Sequence, residues 1–163
     1  DTSDEWIKKR TGIRQRHIVS KNELTSSMAI EASKKAILNA NLDFRDIDLV
    51  ILASTTPDNT FPATAVKIQS SLNLKIGPAF DIQAVCAGFV YALNVASSLL
   101  QTTELKNALV VGSESFSKIL DWNDRSTSVL FGDGAGAVIL EKCQNNKNWG
   151  ILSSNFYSDG NLR

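Results

Sequence analysis

An uncharged segment, residues 82–103, constrains the fold more than any other feature of the sequence. A run of this length is long enough to span a lipid bilayer. It lacks flanking lysine, arginine or aromatic anchors, and it contains polar residues, namely Gln83, Asn94, Ser97, Ser98 and Gln101. We therefore expect a helix that is apolar all round and buried at the centre of a layered domain, rather than a membrane span.

Short apolar runs alternate with helical patterns along the rest of the chain. The predicted strands cover residues 49–53, 80–82, 108–111, 135–140 and 150–156. The predicted helices cover residues 25–40 and 63–72 and the stretch that follows Ala87, with Thr25 or Ser26 as the N-cap of the first. This alternation predicts an α/β layered fold with a mixed, mainly parallel sheet and a buried central helix.

The charge balance excludes several classes of function. Lysine plus arginine number 17 and aspartate plus glutamate number 17, so the formal net charge is +0. A nucleic-acid binder needs clustered basic charge, and so does a polybasic membrane anchor. The chain begins without a basic and apolar leader, and its two cysteines are too few for a disulfide scaffold. We therefore expect reduced thiols and a cytoplasmic protein that binds neither nucleic acid nor membrane.

Cys86 is the first candidate for chemistry. The predicted strand ends near Gln83 and the predicted helix starts near Ala87, so Cys86 lies at a helix N-terminus, where N–H groups and the helix dipole favour a thiolate. The small residues Ala84, Ala87 and Gly88 leave room for a sharp turn and for a substrate. A buried, unreactive cysteine is the competing interpretation, and the spacing alone leaves both open.

Other motifs carry weaker signals. Cys143 has no activating neighbour, His17 follows two arginines as a surface or structural histidine, and the pair Cys86 and Cys143 lacks the spacing of metal ligands, so no metal site is predicted. The glycine-rich segment 131–137 has the letters of a dinucleotide fingerprint, but a strand rather than a helix follows it. Four side chains would suit a nucleotide-bearing acyl carrier if the fold joined them: Trp6, Arg10, Trp122 and Arg125.

Six segments, taken together and in order, resemble β-ketoacyl-[acyl-carrier-protein] synthase III, a thiolase-fold condensing enzyme. They are residues 2–7 (TSDEWI), 10–14 (RTGIR), 78–82 (PAFDI), 84–89 (AVCAGF), 108–114 (ALVVGSE) and 131–137 (FGDGAGA). The resemblance implies that an acyl group, usually acetyl, passes from coenzyme A to a cysteine. Malonyl-acyl carrier protein then loses CO₂ and attacks that thioester, which gives acetoacetyl-acyl carrier protein without any metal or redox cofactor.

The resemblance also implies roles for individual residues. Cys86 matches the acylated nucleophile. Trp6 and Arg125 match the residues that sandwich the adenine of coenzyme A. Arg10 and Thr11 match positions that help to bind the rest of that nucleotide. Phe61 matches a residue that reaches across a homodimer interface to close the partner's acyl pocket, and Phe116 and Phe131 match positions that line the acyl pocket. We expect large aromatic side chains there to favour a short primer.

The family's catalytic His and Asn lie beyond Arg163, and its first strand lies before Asp1. Residues 1–163 are therefore expected to be the N-terminal, nucleophile-bearing half of the fold. Three alternatives stay open. They are another thiolase-fold synthase (a type III polyketide synthase or an acyl-CoA-primed synthase of secondary metabolism), a non-catalytic relative that serves as a dimerisation module, and a nucleotide-binding oxidoreductase.

Overall fold

A computed structural model of the chain describes residues 2–143 and 150–161. Its helices are α1 (Asp4–Thr11), α2 (Thr25–Asn39), α3 (Thr64–Ser71) and α4 (Gly88–Thr102). Its strands are β1 (Leu49–Ala53), β2 (Ala79–Ile82), β3 (Asn107–Ser115) and β4 (Asp133–Glu141). Three short 3₁₀ turns connect them, at Phe44–Asp46, Val85–Ala87 and Phe116–Lys118.

The four strands form one mixed sheet in the order β2-β1-β3-β4. β1 pairs in parallel with both β2 and β3, whereas β4 runs antiparallel to β3. The mainly parallel sheet predicted from the alternation of strands and helices is confirmed. Because parallel strands end on the same side, the residues that follow β1, β2 and β3 meet at one carboxyl edge.

β1 is buried on both faces, as its uninterrupted apolar run predicts. On one face Val50 and Leu52 pack with apolar residues of α2 and α3, including Ile37 and Ile68. On the opposite face Ile51 and its neighbours pack against α4. Because alternate residues of β1 point to opposite faces of the sheet, helices cover both faces, and the arrangement has three layers of helix, sheet and helix.

α4 packs on the sheet through a stripe of small residues. Gly88, Ala92 and Ala96 recur every four positions and are buried, as is Leu100 one turn later. A Cβ on Gly88 would lie 3.4 Å from the Cβ of Ala53, so the helix lies very close to the sheet. The rest of α4 was expected to be buried as well, but in this chain its outer side is open, and Val90 is 55% exposed.

By length and composition alone, the segment from Val85 to Thr102 is long and apolar enough to span a membrane. The structure shows this segment seated on a β-sheet along the buried stripe of α4, which is the packing of a core helix. The placement on the sheet agrees with the expectation of a helix packed in a layered domain, but only one side of the helix is buried in this chain.

Three details differ from the sequence predictions. Helix α1 was not predicted, because its exposed surface leaves no apolar periodicity. The N-cap of α2 is Leu24, and neither Thr25 nor Ser26 caps it, because the Thr25 hydroxyl donates instead to the Thr56 carbonyl oxygen. No strand forms within residues 150–161, where Phe156 instead stacks on Tyr91 of α4 with ring centroids 4.7 Å apart.

Asp48 joins three segments at the amino edge of the sheet. Its carboxylate accepts hydrogen bonds from Lys75 Nζ at 2.6 Å and from the backbone N–H groups of Lys106 and Asn107 at 2.9 and 3.2 Å. A side chain at Gly77 would clash here, since its Cβ would lie 2.2 Å from the Asp48 carbonyl oxygen. Burial raises the pKa of Asp48, but the hydrogen bonds from Lys75 and the two N–H groups outweigh it and hold the pKa below its usual value.

We predict that Asp48→Asn lowers the free energy of unfolding by about 2 kcal/mol at neutral pH, because hydrogen bonds to a charged, buried acceptor are lost. The folded-state pKa is lowered, so this stability is present above the unfolded-state pKa of about 3.9 and is lost as pH falls through the folded-state pKa. Denaturant unfolding at neutral pH and at about pH 2 measures the difference between variant and wild type.

The matched control is Asp4→Asn, which removes a carboxylate whose side chain is 70% exposed and whose ion pair with Lys8 lies on the surface. It should cost less than about 1 kcal/mol. An equal loss of unfolding free energy in both variants would contradict the prediction. So would a difference between Asp48→Asn and wild type that is as large at about pH 2 as at neutral pH.

Candidate active site

Cys86 lies at the carboxyl edge of the sheet, between β2 and α4. The 3₁₀ turn Val85–Ala87 carries it, two residues before α4 begins at Gly88. The thiol is exposed to solvent. The strand-turn-helix placement predicted from the sequence is therefore confirmed, and the alternative of a buried cysteine is wrong for this chain.

The backbone just before Cys86 is strained. Val85 has a φ of 47°, in the left-handed region that a β-branched residue avoids. Such a conformation costs about 1–3 kcal/mol and persists only where the surroundings impose it. The turn has little room to relax, because Gly88 is held against Ala53 directly after it. This sharp turn directs Cys86 away from the sheet and into solvent.

An open cavity of about 310 Å³ borders Cys86. Its walls come from the carboxyl end of β1, the end of β3, the start of β4 and the first turn of α4. Gly112 in β3 leaves little room for a larger residue, because a Cβ there would lie 3.2 Å from the Phe89 ring. Gly134 and Gly136 face open space. Gly134 and Gly136 lie in β4 and border the cavity, whereas Gly132 precedes that strand. The segment is followed by a strand and not by a helix, as the sequence predicts, so it is not a dinucleotide fingerprint.

Arg125 lies beside Trp6 and Arg10 of helix α1, although it is far from them in the chain. The Arg10 guanidinium carbon lies 4.3 Å from the centre of the Trp6 ring, and that of Arg125 lies 5.3 Å from it. Both distances are within the range of cation–π interactions. This cluster presents one aromatic surface and two permanent positive charges, which suits an anionic ligand with a flat ring.

Helix α1 holds Trp6 and Arg10 in place. Its N-cap Ser3 accepts a hydrogen bond from the Trp6 backbone N–H at 3.1 Å, and Gly12 ends the helix with a φ of 74°. The Thr11 hydroxyl donates to the Ile7 carbonyl oxygen and accepts from the Ile13 N–H, so it closes the last turn. The sequence contains these capping residues, although the helix was not predicted from them.

The fold joins Trp6, Arg10 and Arg125, and the cation–π contact of Trp122 is with Arg16. The Trp122 ring lies 6.0 Å from the Arg16 guanidinium carbon, and its indole N–H donates to the Ser117 carbonyl oxygen at 3.2 Å. Arg16 in turn donates to the carbonyl oxygens of Ser128 and Phe131. Trp122 and Arg16 therefore hold in place the segment that carries Arg125.

The three candidate aromatic residues of the acyl pocket lie in two different places. Phe116 and Phe131 are half-buried and stack with ring centroids 4.5 Å apart. Phe61 is on the loop between β1 and α3 and is 82% exposed. None of the three borders the cavity beside Cys86.

Asp133 and Glu114 were missed as functional candidates, although both lie within the motifs that the sequence analysis quoted. The Asp133 carboxylate accepts from the backbone N–H groups of Val19 and Ser117, at 2.8 Å each, and its own N–H donates to the His17 carbonyl oxygen. Burial raises the pKa of Asp133, but hydrogen bonds from the Ser117 hydroxyl and these N–H groups outweigh it and hold the pKa below its usual range. Glu114 lines the cavity beside Cys86.

Nothing in the described parts of the chain resembles a metal centre. No three histidine, cysteine, aspartate or glutamate side chains lie together within residues 2–143 and 150–161. His17 is exposed, and Cys143 is exposed just past the end of β4.

The comparisons with known proteins agree with this geometry. A model of the 3-oxoacyl-[acyl-carrier-protein] synthase III family matches residues 80–160. The chain is 58% identical to β-ketoacyl-[acyl-carrier-protein] synthase III of Erythrobacter litoralis and 55% identical to that of Bradyrhizobium diazoefficiens, with 98% of this chain and 50% of each relative covered. The crystal structure of the synthase III from Aquifex aeolicus superposes with a TM-score of 0.84 at 49% identity, over 88% of this chain and 46% of that one.

A layered α/β fold with a mixed sheet and an exposed cysteine at a strand-to-helix turn places the chain in the thiolase-like fold class. The chain spans about half the length of the curated relatives it matches. Within that class, it belongs to the β-ketoacyl-[acyl-carrier-protein] synthase III family.

We predict that Val85→Asn raises the free energy of unfolding by about 1 kcal/mol, because asparagine tolerates a positive φ that costs a β-branched residue energy. Val90→Asn is the matched control. The two valines are 56% and 55% exposed, but Val90 lies within helix α4. Denaturant unfolding of both variants isolates the backbone effect, and a Val85→Asn variant no more stable than Val90→Asn would contradict it.

Proposed function

We propose that the protein is a condensing acyltransferase that initiates type II fatty-acid synthesis. It would convert acetyl-CoA and malonyl-acyl carrier protein into acetoacetyl-acyl carrier protein, CO₂ and coenzyme A. The observation that carries this proposal is the exposed Cys86 thiol at a sharp strand-to-helix turn beside an open cavity. The name that the similar relatives share, β-ketoacyl-[acyl-carrier-protein] synthase III, supports it.

In the first step, the Cys86 thiolate attacks the carbonyl carbon of the acyl-CoA thioester. A tetrahedral oxyanion forms, and it collapses as the bond to the coenzyme A sulfur breaks. Coenzyme A leaves as a thiolate and is protonated, and Cys86 keeps the acyl group as a new thioester. Backbone N–H groups at the start of α4, including that of Cys86, are the donors that we propose for the oxyanion.

In the second step, malonyl-acyl carrier protein loses CO₂, and the electron pair of the broken carbon–carbon bond becomes an enolate. The enolate carbon attacks the acyl carbon on Cys86, and the cysteine leaves again as a thiolate. Atoms and electrons balance without an external oxidant, reductant or metal, so the two thioester substrates are the only co-reactants. The His and Asn that the family uses to stabilise the enolate would lie beyond Arg163.

Coenzyme A would bind at the cluster of Trp6, Arg10 and Arg125. The adenine ring would lie between Trp6 and the Arg125 guanidinium, which are 5.3 Å apart in this structure and would have to separate to admit it. Arg10 and Thr11 would contact the remainder of the nucleotide. The two guanidinium groups, 4.3 and 5.3 Å from the Trp6 ring centre, support this assignment because they concentrate positive charge beside an aromatic face.

Residues 1–163 would form the N-terminal, nucleophile-bearing half of a longer protein, preceded by a strand and followed by the second half. The open outer side of α4 supports this, since an apolar helix face gains stability from being covered. We further propose a cytoplasmic homodimer that binds neither nucleic acid nor membrane. In that dimer Phe61 would close the partner's acyl pocket, and Phe116 and Phe131 would line the pocket of their own subunit.

The comparisons favour this function over the alternatives that the sequence left open. Relatives named β-ketoacyl-[acyl-carrier-protein] synthase III reach 52–58% identity over nearly the whole chain. A priming β-ketosynthase of a polyketide pathway is also similar, at 38% identity and a TM-score of 0.81.

We predict that the full-length protein gains one acetyl group when it is incubated with acetyl-CoA. Intact-mass spectrometry measures this. Cys86→Ser should abolish the adduct, because the turn before α4 favours a thiolate, whereas a serine hydroxyl is far less acidic and stays protonated there. Cys143→Ser is the matched control and should keep the adduct, since Cys143 lies past β4, outside the strand-to-helix turn. An unmodified wild-type protein, with acetyl-CoA and with longer acyl-CoA primers, would refute the proposed function.

We predict that Phe61→Ala shifts the primer preference toward longer acyl chains, by about tenfold in the ratio of kcat/KM values, because one or two methylene groups are worth that much in an apolar pocket. Steady-state assays with acetyl-CoA and butyryl-CoA measure the ratio. Tyr157→Ala is the matched control, since Tyr157 is 88% exposed and Phe61 82%. An unchanged ratio for Phe61→Ala would remove the gating role.

A further inference from the structure

The carboxylate of Glu114 makes its hydrogen bonds to a loop and not to a cation. Glu114 lies near the end of β3, and its residue borders the cavity beside Cys86. Its Oε1 accepts from the Thr55 N–H at 2.7 Å, and its Oε2 accepts from the Thr56 N–H at 3.1 Å and from the Thr56 hydroxyl. No ion pair among the described residues involves Glu114.

These three donors stand at the base of the β1–α3 loop, residues 54–63. The same base is held from a second side, because the Thr56 hydroxyl accepts from the Ser115 N–H at 2.9 Å and the Thr56 carbonyl accepts from the Thr25 hydroxyl. Glu114 is thus the only charged group that fixes the backbone where this loop leaves the sheet, within the part of the chain that the structure describes.

The other end of the loop is fixed as well, but its tip is not. Asp81 accepts from the N–H groups of Thr64 and Ala65, at 2.7 and 2.8 Å, and so fixes the start of α3. Among the described residues, nothing forms a hydrogen bond to residues 59–62, and Phe61 in this tip is 82% exposed. Asp58, between the base and the tip, accepts from the Ser26 N–H at 3.0 Å and from Lys67 Nζ at 2.7 Å. The position of Phe61 therefore depends on Asp58 and on the two fixed ends of the loop.

We propose that Glu114 is a positioning residue that sets the primer size accepted by the protein. Glu114 borders the Cys86 cavity, and its carboxylate fixes Thr55 and Thr56 and through them the loop that presents Phe61. The proposal rests on the proposed function, because it assumes that Phe61 gates an acyl pocket. Glu114 acts through the loop and not on the reacting atoms, so the thiol of Cys86 should be equally reactive without it.

Glu114→Gln tests this with little change in size. Glutamine removes the charge and places an NH₂ group against one of the three donors, so at least one hydrogen bond is lost. Hydrogen bonds to a charged acceptor are strong enough that the loss should speed amide exchange in residues 54–63 about tenfold. Hydrogen–deuterium exchange with mass spectrometry on the full-length protein reads this out for the loop, with α2 and α4 peptides as internal references.

Two functional readouts accompany the exchange measurement. The ratio of kcat/KM values for butyryl-CoA and acetyl-CoA should change about fivefold or more, as befits a change in pocket volume. The rate at which iodoacetamide alkylates Cys86, followed in a Cys143→Ser background, should stay within about twofold. Glu114→Asp keeps the charge with a shorter reach and should give intermediate values of exchange and selectivity. Glu104→Gln, at an exposed position, is the matched control and should change nothing.

Each contrary outcome has a distinct meaning. Loop exchange that is unchanged in both Glu114 variants overturns the positioning role, whether or not the protein condenses thioesters. Faster exchange with equal losses for both primers shows that Glu114 is merely structural, and a changed alkylation rate shows that it acts on Cys86 directly; either result overturns the proposal. An absence of acetylated Cys86 in the wild-type protein refutes the proposed function, and with it the link to primer size, while the exchange result still decides whether Glu114 fixes the loop.

Discussion

The two-sided burial of β1 is the constraint on which the rest of the structure depends. A strand that is apolar on both faces needs a layer of helices on each side, and it can lie only in the interior of a sheet. β2 and β3 pair with it in parallel, so all three strands deliver their following residues to one edge. Cys86, Glu114 and the loop after Ala53 are neighbours for this reason.

The close approach of α4 to the sheet is the second part of that constraint. Gly88, Ala92 and Ala96 let the helix lie against β1 and β3, and larger side chains at these positions would move it away. The helix then starts so close to Ala53 that the chain must turn sharply after β2, which forces Val85 into the left-handed region. The exposure of the Cys86 thiol follows from packing several residues away.

Carboxylates fix the loops around the carboxyl edge mainly through backbone N–H groups. Asp81 fixes the start of α3, and Glu114 fixes the residues after β1. Asp133 fixes the segments at Val19 and Ser117. An ion pair with a long lysine or arginine side chain would leave more freedom at each of these points. The permanent positive charges of Arg10 and Arg125 lie beside Trp6.

The sequence by itself determined the order of strands and helices from α2 to β4 and the turn at Cys86, because burial leaves a local periodicity that an apolar run records. It also contained the motifs of the condensing-enzyme family. It did not reveal α1, whose surface is too exposed to leave that pattern, or the true partner of Thr25, whose hydroxyl bonds to a residue far along the chain. Only the tertiary structure decided that Arg125 reaches Trp6, that Trp122 pairs with Arg16 instead, and that Glu114 holds Thr55 and Thr56. Contacts between residues distant in the chain depend on strand order and register, which no local pattern encodes.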